Sequence, residues 1–371
     1  MSRRLRLVPA LGTRGGPARW RREREGAGVE AHQQGFRDGA WSFLYKEDTE
    51  YAVERRDGDE AVAEAARRAR SGPPPEVVQG PVMKPAVWTW EVPLYFWTGG
   101  IAAGSGFVAL ACDLAGDDAS AATARKVSLA ALAPSPLLLV SDLGRPERFL
   151  NMLRIVKPRS PMSMGAWCLT LYGNLMAAAV GADLLARRRE ARAAGAAAAL
   201  VGVYLGSYTG VLLGSTAVPV WARSRLFLGP IFVATATATG AAASRLALVA
   251  SGVPEGHPTR RALGRVETAA IATELTLSTL NERRLGRLAV ALEDGSAGKL
   301  FRGAKWAVRA GLSLRLLRRR AGPASHHVAS GLYLAAGLAF RYAWVAAGRN
   351  SARDDRTVAE TARGVAEQGT G

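Results

Sequence analysis

Cysteine is nearly absent. Cys112 and Cys168 are the only two in 371 residues, and each sits inside an apolar run. An iron–sulfur cluster takes about four thiolates and a structural zinc about four ligands. The chain is therefore expected to hold neither alone, and both thiols read as packing residues. Histidine is scarce too, at four residues. His32 lies in a polar first quarter, His257 in a loop, and His326 and His327 at the mouth of the last apolar run. No two face each other mid-run, so no haem with two histidine ligands is expected. Acid is outnumbered by base, 31 Asp and Glu against 49 Lys and Arg, for a formal charge of +18. No recognition helix or aromatic platform accompanies that charge, so nucleic acid is not an expected partner. No P-loop, nucleophile elbow or glycine-rich dinucleotide turn appears. A cleavable leader is not expected: after Arg3 and Arg4 the apolar stretch Leu5 to Leu11 is too short. The first membrane helix then acts as its own insertion signal.

What the chain does have is segregation. Mean hydropathy is only +0.03, yet an Arg-rich polar opening gives way to long uncharged blocks. A bilayer span needs about 20 consecutive apolar residues. Pro93 to Cys112 is uncharged, with Gly100 and Gly104 offering a face for close helix contact. After a loop from Asp113 to Lys126, Val127 to Ser141 is a shorter span, bent at Pro134 and Pro136. Ser160 to Ala182, Ala193 to Ala222 and Leu226 to Ser244 follow. Ala262 to Leu280 and Gly303 to Leu317 are charged candidates, and Val328 to Val345 is the last. The expected fold is all-α: a polytopic integral membrane bundle of about eight transmembrane helices. Residues 1–85 form a polar, mostly disordered N-terminal arm, 86–350 the bundle, and 351–371 a polar tail. Arginine clusters such as Arg187 to Arg189 flank the spans, which suits lipid head groups and topology. Eight spans put both termini on one side, and the basic loops favour the cytoplasm narrowly.

Between the second and third spans, Ser141 to Trp167 is charged and broken by prolines. Phe149, Leu150, Met152, Leu153, Ile155 and Val156 suit a short interfacial helix. Pro158 and Pro161 end it, and Ser160 or Ser163 can cap the next helix. Asp142, Arg145, Glu147 and Arg148 are expected to form a structural charge network, with Arg145 pairing Asp142. In the sixth span Glu267 and Glu274 are seven apart, hence on one helix face, and Asn281 extends it. Ionisable residues in a span tend to carry function, and this stripe could form a proton path. It equally suits an amphipathic helix bonding to its neighbours.

The string D-L-G-R-P-E-R-F from Asp142, then M-L-R, K-P-R-S-P-M-S and G-A-W, resembles the signature of the polysulfide reductase membrane subunit (NrfD-type) family. Val92 to Ser105, Tyr208 to Gly214 and Arg341 to Arg349 are similar to its first, fourth and last helices. The resemblance spans roughly residues 88 to 350. It implies a quinone pocket formed by the start of the first helix, near Glu91, and Tyr208 of the Y-T-G motif. It implies an anchor subunit of a quinol-linked respiratory oxidoreductase of the molybdoenzyme type, without the catalytic centre itself. The quinone, menaquinone or ubiquinone, would be an exchangeable substrate. The implied partners are an iron–sulfur, ferredoxin-like subunit and a molybdopterin catalytic subunit, at the cytoplasmic membrane. The alternative is a transporter or proton-conducting subunit without redox chemistry.

Overall fold

In lipid every backbone N–H and C=O must bond internally, so uncharged runs rich in Ala, Leu and Gly can only be helices. The computed structural model describes residues 81–142, 149–317 and 324–362, and among them there is no strand. In chain order the helices are α1 (Glu91–Leu114), α2 (Asp118–Leu132), α3 (Pro134–Asp142), α4 (Phe149–Met152) and α5 (Pro161–Leu184). Then come α6 (Arg188–Gly214), α7 (Pro219–Arg223), α8 (Arg225–Ala250) and α9 (Pro258–Leu285). A 3-10 turn (Gly286–Ala289) leads to α10 (Val290–Glu293), α11 (Gly295–Leu316), α12 (Ser325–Arg353) and α13 (Asp355–Ala362).

Among the described residues these make eight long helical passes, α2 and α3 counting together. By length and apolar composition alone four of them can cross a membrane: α1, α6, α8 and α12. The charges on α9 and α11 lower their hydropathy. Pro134 has no N–H to donate, so the helical ladder breaks there; Ala133 stays right-handed α and the chain runs on as a bent helix. Ser160 caps α5: its hydroxyl accepts from the Ser163 N–H at 3.4 Å, and Pro161 takes the first helical position.

Three local expectations need correction. The uncharged block Ala193 to Ala222 is not one helix, because α6 stops at Gly214. The Thr216 hydroxyl donates to Leu213 O at 2.8 Å, and Pro219 holds Val218 extended at φ −64°, ψ 123°. The interfacial helix after Phe149 is a single turn, Phe149–Met152, and Lys157, before Pro158, is already outside helix. The stretch from Asp113 to Lys126 is mostly helix rather than loop. Asp117 caps α2 by accepting from Ser120 N at 3.1 Å.

α1 and α8 are the two central helices. α1 packs on α2, α6 and α8; α8 packs on α1, α6 and α9. α5 lies against α6, and α11 against α12. The glycine face proposed for α1 is used: a Cβ on Gly104 would lie 1.9 Å from the Ala236 carbonyl oxygen of α8. At the end of the bundle that holds the start of α1, a large apolar cluster gathers Trp221, Leu228, Phe301, Phe340 and Trp344. Cys112 and Cys168 are both buried and unbridged.

Candidate functional site

A slot opens where α1, α3, α5 and α6 converge. Tyr95 and Phe96 come from α1, Ser135 and Asp142 from α3, Met162 and Gly165 from α5, and Tyr208 from α6. The walls are mainly apolar. Tyr208 is buried, and its ring lies on the bare backbone of Gly165, where a Cβ would meet the ring at 2.0 Å. Ser135 Oγ is 2.9 Å from Thr98 Oγ1 in the buried wall. The open volume is about 80 Å³, enough for a few waters. A larger ring enters only if the walls part, and Met152 and Met162 are the unbranched side chains best able to yield.

The mouth is built by residues 81–90, held against the far side of the bundle. Trp88 stacks on Trp221 with ring centroids 5.2 Å apart and meets Phe96 edge-on at 6.2 Å. Arg349 Nη1 donates to Trp88 O at 3.1 Å, and the Tyr342 hydroxyl donates to Trp90 O at 2.9 Å. Trp221 in turn donates to Trp344 O at 2.9 Å and sits over Gly348. At this mouth Thr89 donates its hydroxyl to Glu91 and lies 3.4 Å from Asp142 Oδ1. One hydroxyl hydrogen thus sits between two carboxylates. Of the residues expected at a quinone pocket, Tyr208 lines the slot and Glu91 stands beside it, reaching Asp142 through Thr89.

The expected charge network is described only at Asp142; Arg145, Glu147 and Arg148 lie outside the described residues. So does nearly all of the N-terminal arm. The Glu267–Glu274–Asn281 stripe is buried along its whole length. Its members differ in partners. Glu267 pairs with Arg315 and accepts from Ser330 Oγ at 2.9 Å. Asn281 Nδ2 donates to Ser224 Oγ at 3.0 Å. Among the described residues Glu274 accepts only from Ser278, on its own helix, at 2.7 Å.

Sequence reasoning missed a second set of charges, at the other end of α1. Arg125 of α2 is buried and holds two carboxylates: Asp113 at 2.7 Å, and Asp183 at 2.6 and 2.9 Å. It joins α1, α2 and the end of α5. Thr89 and Arg315 were missed as well: Asp142 is 53 residues from Thr89 and Glu267 is 48 from Arg315.

Long helical passes, with buried charge inside the bundle and an apolar slot at one edge, define a polytopic integral membrane protein. Comparison with known families narrows this. The sequence matches the profile described as polysulphide reductase, NrfD, over residues 81–350, and the chain belongs to that family. The family supplies membrane subunits of quinol-linked oxidoreductase complexes. No curated protein matches the chain.

Proposed function

We propose that this chain is the quinone-reactive anchor of such a complex, and that the slot between α1, α3, α5 and α6 receives the quinone ring. One observation carries the reading. A buried phenol, Tyr208, and a carboxylate, Asp142, face a single apolar slot, and a second carboxylate, Glu91, stands at its mouth. A quinone needs an apolar groove and hydrogen-bond partners for its oxygens. A phenol donates to a carbonyl oxygen, and a carboxylate accepts a hydroxyl proton. Oxidation of a quinol releases two electrons and two protons. Here Tyr208 orients one ring oxygen, while Asp142 takes the two protons one after the other and passes each through Thr89 to Glu91 and water. The electrons leave to an iron–sulfur subunit docked beside the mouth, and from there to a molybdopterin subunit; reduction of quinone runs the same steps backwards. Either menaquinone or ubiquinone satisfies these contacts. The bundle then resides in the cytoplasmic membrane.

The test is turnover of a soluble quinol analogue by the assembled complex. Tyr208→Phe and Glu91→Gln are expected to lower it at least tenfold with the partner subunits still bound. Full turnover in both variants would leave the chain as a purely structural anchor.

A further inference from the structure

Arg341 of α12 is 2 % exposed and poorly satisfied. Its Nη2 donates to Phe232 O at 3.3 Å, and its guanidinium lies 3.8 Å over the Phe232 ring. Nε and Nη1 have no hydrogen-bond partner among the described residues. No carboxylate among the described residues stands within ion-pair distance. A guanidinium held this way inside a membrane bundle is rare, and it marks a pathway more often than a scaffold. Its surroundings suggest which pathway. On one side is Gly100, whose absent side chain leaves room: a Cβ there would be 3.4 Å from Nη2. The next residue back, Gly99, lines the slot. A glycine pair therefore separates the slot from the cation. Glu274 is the carboxylate whose charge acts on Arg341, and it lies on α9, which packs against the same helix α8 that carries Phe232.

Two turns from Glu274, about 10 Å along α9, the second carboxylate is differently placed. Glu267 is locked by Arg315 and Ser330. Arg245 continues the line, donating to Ser330 Oγ at 3.0 Å and to His326 O at 2.9 Å, at the far end of the bundle. Tyr333 of α12 is fully buried, and Arg315, the partner of Glu267, lies over its ring. One glutamate is free to change charge without breaking an ion pair; the other must open one.

We infer that α8, α9 and α12 carry a transmembrane proton path, distinct from the slot, in which Glu274 is the group that loads and unloads. A proton reaches Glu274 from the slot side past Arg341, whose positive charge keeps the carboxylate receptive and turns away other cations. It moves to Glu267 by way of the Tyr333 hydroxyl or a water beside it. Glu267, once protonated, releases Arg315, and the proton leaves at the end marked by Arg245 and His326. Only protons move; no electron or bond to carbon is involved.

The experiment uses the complex purified from native membranes and sealed into vesicles holding a pH-sensitive dye. A potassium gradient with valinomycin supplies the driving potential, and no quinone or quinol is added. Wild-type vesicles are expected to acidify or alkalinise faster than protein-free ones. Glu274→Gln should cut that flux at least tenfold, and Glu274→Asp should restore part of it. A lipid-soluble carbodiimide, which attacks protonated carboxyls, should label Glu274 before Glu267, read by peptide mass spectrometry. Wild-type flux no faster than in empty vesicles, or flux unchanged in Glu274→Gln, overturns the inference. If Glu274→Gln fails to assemble, labelling of the wild-type protein decides alone: preference for Glu267 overturns it. Because no quinone is present, either result leaves the reading of the slot untouched.

Discussion

Gly104 of α1 and Gly240 of α8 meet backbone to backbone. A Cβ on Gly240 would fall 2.2 Å from the Gly104 carbonyl carbon, and one on Gly104 would fall 1.9 Å from the oxygen of Ala236. The obstacles are main chain, which cannot rotate away, so either methyl must push the two central helices apart. Overpacking of this kind costs about 1–3 kcal/mol or more. Gly104→Ala and Gly240→Ala are expected to lower the melting temperature of the detergent-solubilised protein. Gly181→Ala in α5 is the control. Nothing lies within 4 Å of a Cβ there, and a helical Gly→Ala change gains about 0.5–1 kcal/mol.

Removing Arg125 should be costly. It is the shared partner of Asp113 and Asp183, and all three are largely buried. Truncating one member of a buried ion pair typically costs about 3–5 kcal/mol, because the charge left behind has no counter-ion. Arg125→Gln is expected to lose most of its folded yield in detergent, and adding Asp113→Asn and Asp183→Asn should recover part of it. Arg192→Gln, which breaks an exposed pair with Asp118, should change stability by no more than about 1 kcal/mol. Equal losses from Arg125→Gln and Arg192→Gln would contradict the structure.

Asp117 gives a pH dependence with a definite sign. Burial alone would raise its carboxyl, but hydrogen bonds from Ser120 and Thr259 and the nearby His257 outweigh it and hold the group below its ordinary value. A carboxyl that is more acidic folded than unfolded stabilises above its unfolded pKa, roughly 3.9. That stability is lost as pH falls through the lower folded value. The wild-type melting temperature should therefore drop more steeply below about pH 4 than that of Asp117→Asn. At neutral pH Asp117→Ala should cost about 0.5–2 kcal/mol, as for other helix caps. Parallel melting curves for wild type and Asp117→Asn down to pH 3 would count against the capping role at roughly this strength.

Much of the bundle is legible from hydropathy and punctuation, because lipid permits few alternatives to a helix. Six of the eight pass positions follow from charge-free runs, the bend in the second pass from Pro134, and the start of α5 from Ser160 and Pro161. The seven-residue spacing of Glu267, Glu274 and Asn281 correctly puts them on one face. What spacing cannot reveal is which of them meets a cation. Arg315 is 48 residues from Glu267 in sequence, and only the fold brings them together. Arg125 is harder still. It looks like a loop residue until Asp113 and Asp183, 12 and 58 positions away, converge on it. The early end of α6 was hidden by composition, since Thr216 and Pro219 act through backbone bonding inside an uncharged run.

Gly165 provides the sharpest probe of the slot, because it changes shape without touching a polar group. Its Cα lies under the Tyr208 ring, and an added methyl would stand 2.0 Å from that ring and 2.3 Å from the hydroxyl oxygen. The ring must then tilt into the slot, which has only about 80 Å³ open. Helix propensity favours Ala over Gly by up to about 1 kcal/mol, which offsets part of the strain, so Gly165→Ala should still assemble. Its effect should fall on quinol binding. If the tilt costs the bound state about 1–3 kcal/mol, the apparent affinity for a quinol analogue falls by roughly 5- to 150-fold. The double change Gly165→Ala with Tyr208→Leu removes the ring that clashes. It should regain the room for the analogue while losing the phenol's hydrogen bond. Steady-state turnover against analogue concentration separates the two effects: KM rises in Gly165→Ala, and recovers in the double variant while kcat stays low. An unaltered KM in Gly165→Ala would mean that the ring enters elsewhere.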